Sequence, residues 1–222
     1  MNPWILKIYI RYVKLTDKLL KNYRRSQLNN TDFSIICNNC WGGFVYRRYG
    51  LGYLTPTVGT YFFAEDFIKL CQDVRHYMET PLVFIPCAES KHKEALIQKG
   101  QQQVLIGKLD DIEVVFLHYH TEQEAKEKWE RRASRINYDN LIFKFSKMNG
   151  CTEDELKAFD DLPHSKKICF VPPGEEKNIQ CAVSFKSAEG KGEITNDTGE
   201  YARYIDITAM INARHVNGTK MQ

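Results

Sequence analysis

The chain has 222 residues, 43% hydrophobic and 27% charged, a globular composition long enough to bury a core without metal or disulfide staples. A net charge of +3 is too balanced to call for nucleic acid as a partner, and no apolar run approaches the roughly 18 residues needed to cross a bilayer. The cysteines number seven, and Cys37 and Cys169 lie inside apolar strand-like runs, so reduced, buried thiols in a cytoplasmic protein without a signal peptide are expected.

Residues 5–25 read as one basic amphipathic helix, the core of an N-terminal unit 1–30. Ile5, Ile8, Tyr9, Tyr12, Leu15, Leu19 and Tyr23 recur at helical spacing. Between them stand Lys7, Arg11, Lys14, Lys18, Lys21, Arg24 and Arg25 against Asp17 alone. Such a helix can lie on an anionic membrane at the inner face of the cell, or simply keep its charged side in water.

The unit 31–222 reads as a single α/β domain. Phe33–Cys37 is a short apolar run expected of a strand buried on both faces. The turn Asn38-Asn39-Cys40-Trp41-Gly42-Gly43 follows, with a short helix through Tyr49 and breaks at Gly50, Gly52 and Pro56. One amphipathic helix carries Phe67, Leu70, Cys71, Val74, Tyr77 and Met78 until Pro81, and Leu82–Ile85 is the next buried strand. Val104–Lys108 and Glu113–His118 form a hairpin turning at Asp110-Asp111. Thr121 and Glu124 make a capping box for a helix buried along Ala125, Trp129, Ala133 and Ile136; Thr152 and Glu155 repeat the pattern for a helix ending at Phe159. Leu141–Phe145 and Lys167–Val171 are strands, 181–185 an edge strand, 186–200 a mobile polar loop and 202–214 a last helix. The alternation predicts a Rossmann-like three-layer α/β fold, its sheet largely parallel or mixed with helices on both faces, plus the N-terminal amphipathic helix.

Ligands of open α/β sheets bind beyond the carboxyl ends of strands, which directs attention to the turn after the first strand. Gly42 and Gly43 open the helix start, so an anion could approach its amides; Asn39 could cap or bind, and Cys40 stands where a thiol pKa tends to fall. The alternative is a tight turn anchored by Trp41. Cys37 and Cys40 form a CxxC without a second half-site for zinc, and no metal set is assigned. A redox role suits the strand-to-helix position, but Cys37 reads as an interior residue. His118 and His120 close a strand on a shared face, with Glu122 and Glu124 near, a candidate metal pair or a general base with its orienter, or simply surface histidines. Arg132 and Arg135, three apart on a helix, could clamp a phosphate or carboxylate, or complement the helix C-terminus. Asn137 could cap the turn that follows.

Together, Ile36–Gly43, Thr55-Pro56-Thr57, Trp129-x-x-Arg132-x-x-Arg135-Ile136-Asn137 and Phe159–Pro163 with Lys166-Lys167 resemble an uncharacterised bacterial family of domain-of-unknown-function type, usually described as exopolysaccharide biosynthesis proteins. The resemblance spans roughly residues 30–215. It implies an α/β protein of surface-polysaccharide assembly, with Asn38–Gly43, Arg132, Arg135 and Asn137 on the family's motif positions. A Trp-Leu-Asn is expected near the end, where this chain has Met210-Ile211-Asn212.

The leading expectation is a transferase acting on a nucleotide-activated sugar or another polysaccharide precursor, with no cofactor assigned. Asn39, Trp41, Gly42, Gly43, Thr57, Arg132, Arg135 and Asn137 would bind substrate, and Cys40, His118, His120 and Glu122 would supply the chemistry. Against it stands the lack of an Asp-x-Asp metal motif. A second expectation is acyl transfer or hydrolysis with Cys40 as nucleophile. A third is a non-catalytic glycan-binding or scaffold protein using Trp41, Tyr46, Tyr53 and Tyr61.

Overall fold

The computed structural model describes residues 15, 16 and 19–213. Much of the expected 5–25 helix lies outside them; residues 19–26 are helical and are termed α1. β1 (Ser34–Cys37) is buried at every position, and leads through a turn into α2 (Trp41–Tyr49). β2 (Thr60–Tyr61), α3 (Ala64–Gln72), α4 (Val74–Glu79), β3 (Val83–Ile85), α5 (Lys93–Gln98), β4 (Leu105–Leu109), β5 (Ile112–Phe116) and α6 (Glu122–Ala133) come next. β6 (Leu141–Ser146), α7 (Glu153–Asp160), β7 (Lys167–Val171), β8 (Ala182–Ser184), α8 (Asp197–Glu200) and α9 (Ile207–Asn212) complete the described order.

The strands form two four-stranded sheets. One is parallel in the order β1-β6-β7-β8, and the other antiparallel in the order β2-β5-β4-β3. They meet where the chain leaves β1: the Phe62 amide, just after β2, donates to the Asn38 carbonyl at 3.0 Å.

Alternation along the parallel strands sorts the core into layers. Ile35 and Cys37 of β1, Ile142 of β6 and Phe170 of β7 face α2 and α9, packing with Trp41, Val45, Tyr46, Ile207 and Ile211. Ile36, Phe143, Phe145, Cys169 and Val171 face the other way, against Phe67 and Leu70 of α3 and Leu156 and Phe159 of α7. That second cluster continues into Val114 and Phe116 of the antiparallel sheet and Trp129 of α6. The parallel sheet is thus covered by helices on both faces, as the α/β expectation required.

Several local expectations change. The helix expected through Phe67 and Met78 is two helices, broken at Asp73 (φ −144°, ψ 76°), whose carboxylate accepts the His76 amide at 3.0 Å. A short acidic side chain here satisfies the next helix's first turn better than it continues the last one. Leu82–Ile85 is not a buried strand of the main sheet: β3 is the edge of the antiparallel sheet, with Val83 exposed. The hairpin turns as expected, with Asp110 in the left-handed region at φ 56°. Thr152 and Glu155 make the full capping box, whereas the Glu124 carboxylate takes the His120 amide instead of that of Thr121. The expected mobile loop 186–200 contains a 3-10 turn and α8, and buries Ala188, Ile194 and Asp197.

Candidate functional site

The turn after β1 is closed by its own residues. The Trp41 amide donates to Asn39 Oδ1 at 3.1 Å, the Gly42 amide to Cys37 Sγ at 3.3 Å, and the Gly43 amide to the Cys40 carbonyl at 3.2 Å. The first-turn donors that could hold a phosphate are therefore occupied. The glycines serve close packing: a Cβ at Gly42 would lie 3.0 Å from Cys37 Sγ, and one at Gly43 2.9 Å from Val58 Cγ1. Gly42 lets α2 sit on β1, and Gly43 lets the 53–59 loop sit on α2.

Asn39 belongs to a buried polar knot at the carboxyl ends of β1 and β6. Its Oδ1 also accepts from Lys144 Nζ at 3.0 Å, and its Nδ2 donates to Asp197 Oδ2 at 2.8 Å. Lys144 forms a close ion pair with Asp197, and Ser146 Oγ donates to the same carboxylate oxygen at 2.7 Å. Burial alone would raise the Asp197 carboxyl, but the Lys144 charge and the hydrogen bonds of Asn39, Lys144 and Ser146 outweigh it and hold the pKa below its ordinary value. The Lys144 ammonium also lies 5.7 Å from the Trp41 ring and 5.0 Å from that of Phe170. Trp41 is thus a core residue above a buried cation, enclosed by Phe170 and Tyr201. The signal for this knot was a lysine inside Leu141–Phe145; Asp197, in a polar segment, gave none.

Beside the turn opens a cleft of about 330 Å³, lined by Cys40, Gly43, Phe44 and Arg47 of α2 and its entry, Tyr53, Val58 and Gly59 of the following loop, His118 and Tyr119 after β5, and Lys128 and Arg132 of α6. It draws on both sheets, since the β1 turn and the β5–α6 loop converge where the sheets join. Tyr119 organises its wall: the phenol donates to the Val58 carbonyl at 2.6 Å and accepts from Arg132 Nη1 at 2.7 Å. Burial pushes that phenol above its ordinary pKa against the opposing Arg132 charge, so it remains a neutral donor at physiological pH. Arg132 is only 9% exposed, reaches the Val58 carbonyl at 3.2 Å, and lies over the Tyr53 ring at 5.0 Å. Neither Arg132 nor Arg47 has a carboxylate partner among the described residues; Lys128 pairs with Glu124. A guanidinium buried this far without a counter-ion leaves a strong field directed into the cleft.

Cys40 stands at the floor, its Sγ 3.8 Å from the Thr60 carbonyl. Burial, then the nearby Cys37, pushes its thiol up to about 11, the reverse of the lowering expected at a helix start. The helix amides that lower such a thiol are already used.

Of the residues singled out by sequence, Cys40, Gly43, His118 and Arg132 meet in this cleft. His120 and Glu122 are exposed and do not line it; β5 ends at Phe116, so the two histidines share no strand face. Arg135 lies past the end of α6 and is exposed, so the expected arginine clamp is not formed. Thr57 is buried, donating to the Ile35 carbonyl at 3.2 Å. Asn137 holds Asp32 at 3.0 Å, at the opposite end of β1. Of the expected stacking surface, Trp41, Tyr46 and Tyr61 are core and Tyr53 alone faces the cleft. Arg47 and Tyr119 were missed, because only the tertiary fold brings them beside Arg132; Lys128, one turn before Arg132 on α6, could have been read from the i, i+4 spacing.

Glu65, Asp66 and His92 form the group with metal-ligand chemistry among the described residues, and Lys91 already reaches Asp66 at 2.5 Å and Glu65 at 3.2 Å. That ammonium neutralises the position a metal would take.

The fold is α/β, and its cleft is basic and partly aromatic. Residues 11–214 match the family described as a domain of unknown function (DUF1919), and the chain belongs to it. A relative from Haemophilus influenzae, named only as an uncharacterized protein, is 30% identical over 218 residues, covering 93% of this chain and 99% of its own.

Proposed function

We propose that the protein is a transferase of bacterial surface-polysaccharide assembly that binds a nucleotide-activated sugar through its diphosphate in the cleft. The observation that carries this reading is the charge imbalance: Arg47 and Arg132, neither with a carboxylate partner among the described residues, line one cleft that has no carboxylate among its lining residues. Guanidinium groups suit phosphate oxygens by bidentate geometry, and Tyr53 and Phe44 offer flat surfaces to a sugar or base. A volume of about 330 Å³ suits a diphosphate and one ring, with the rest of the donor extending through the open mouth. The likeness to exopolysaccharide biosynthesis proteins supports the pathway.

In this reading the sugar's anomeric C–O bond breaks and its electron pair passes to the diphosphate, where the cations offset the growing charge. The acceptor hydroxyl attacks the anomeric carbon, and its proton passes to His118, the imidazole that lines the cleft. Acyl transfer from Cys40 has less support, because a thiol pushed up to about 11 is protonated at neutral pH.

Thermal unfolding with a panel of UDP-, GDP- and CMP-linked sugars, and with pyrophosphate, tests the proposal. A ligand at about a hundred times its Kd should raise Tm by about 5–10 °C, and Arg132→Gln should abolish most of that shift. No shift with any member of the panel would overturn it.

A further inference from the structure

We infer that the outward face of α1 docks onto an anionic membrane surface. Leu19 and Tyr23, four residues apart, share one side of α1 and are 69% and 65% exposed, with Leu20 beside them at 42%; Leu15, earlier in the chain, is 58% exposed. Four of the eight exposed large hydrophobics among the described residues fall here, so this is a concentrated patch and not scattered surface. The molecule holds α1 from the other side. The Lys21 stem lies against Gly50, where an added Cβ would come within 3.2 Å of Lys21 Cδ, and Lys21 points away from Leu19 and Tyr23 around the helix. After α1, Leu28 packs on the core, Asn212 Oδ1 accepts the Asn29 amide at 2.8 Å, and Asn212 Nδ2 donates to the Gln27 carbonyl at 2.8 Å. The attachment leaves Leu19, Leu20 and Tyr23 facing outward, with Asn22 and Ser26 exposed beside them.

Charge selects the occupant. In the sequence 5–25, Lys7, Arg11, Lys14, Lys18, Lys21, Arg24 and Arg25 oppose only Asp17. A second copy seated on this face would bring two such stretches together, with strong mutual repulsion. An anionic lipid surface instead accepts the leucines and tyrosine at the headgroup boundary while its phosphates neutralise the lysines and arginines flanking them. Apolar insertion and basic attraction are the two signals that stable peripheral attachment needs. Gly50, against which α1 rests, also ends α2, whose Arg47 lines the cleft, so docking would hold the cleft close to the lipid plane.

Co-sedimentation of the full chain with vesicles made from equal parts phosphatidylcholine and phosphatidylglycerol tests the inference. The protein should pellet with these vesicles, bind pure phosphatidylcholine weakly, and be released by about half-molar salt. The double variant Leu19→Gln, Tyr23→Gln should lower vesicle affinity about tenfold with an unchanged melting curve. Absence of binding to the mixed vesicles, or binding indifferent to that variant, would overturn the inference. So would a wild-type dimer in sedimentation velocity that the double variant makes monomeric, since a second copy would then own the face. Arg132→Gln should bind vesicles as the wild type does, which separates a failure here from a failure of the cleft reading.

Discussion

Lys144 is fully buried in a strand between Phe143 and Phe145, and its ammonium is satisfied by Asp197, Asn39 and two aromatic faces. Removing one member of such a pair leaves the other charge uncompensated. Lys144→Met should therefore cost about 3–5 kcal/mol in urea denaturation; a loss under about 1 kcal/mol would contradict the arrangement. The pH dependence follows from the depressed Asp197 pKa. Its contribution is complete above the unfolded value of about 4 and is lost as pH falls through the lower folded value. In Lys144→Met, where burial dominates, the loss should begin at higher pH. Cys40 gives a second residue-scale outcome: its alkylation by iodoacetamide, followed by peptide mass spectrometry, should be slow at pH 7.5 and accelerate as pH nears about 11. Fast modification at neutral pH would restore the nucleophile reading. A lysine amid phenylalanines was visible in the sequence as an anomaly; its partner, about fifty residues on in an undistinguished polar stretch, was not.

At the scale of elements, most strands and helices were legible because their signals are local. The Thr152–Glu155 box, the apolar run of β1 and the Asp110 turn each depend on neighbours within a few residues. The break between α3 and α4 was not legible, since the apolar face runs on from Phe67 to Met78 across Asp73. What breaks the helix is a competition won by one cap. Asp73→Ala should accordingly destabilise the protein by about 1 kcal/mol in urea denaturation; an unchanged or higher midpoint would show that the cap does not set the break. The division of the strands into two sheets was also hidden. β3 has the composition of a buried strand, and only its antiparallel pairing with β4 makes it an edge. The helix start after β1 was legible as a location but not in its use, because Gly42 and Gly43 meet Cys37 and Val58 across loops of the chain.

For the molecule as a whole, the parallel sheet supplies the turn with Cys40 and Gly43, the antiparallel sheet supplies His118 and Tyr119, and α6 supplies Lys128 and Arg132. No one of these segments forms the cleft alone. Residues marked by sequence reach the cleft where their position follows from a strand end, as with Cys40 and His118, and miss it where a helix stops early, as with Arg135. No helix among the described residues is long and apolar enough to cross a membrane. The cleft's claim to function rests on buried, unneutralised arginine, and isothermal titration of pyrophosphate into the protein measures this most directly. The wild type should bind at one site with an affinity that falls with salt, and Arg47→Gln and Arg132→Gln should each weaken it by about tenfold or more. Equal affinity in all three proteins, or no binding to the wild type, would contradict the account.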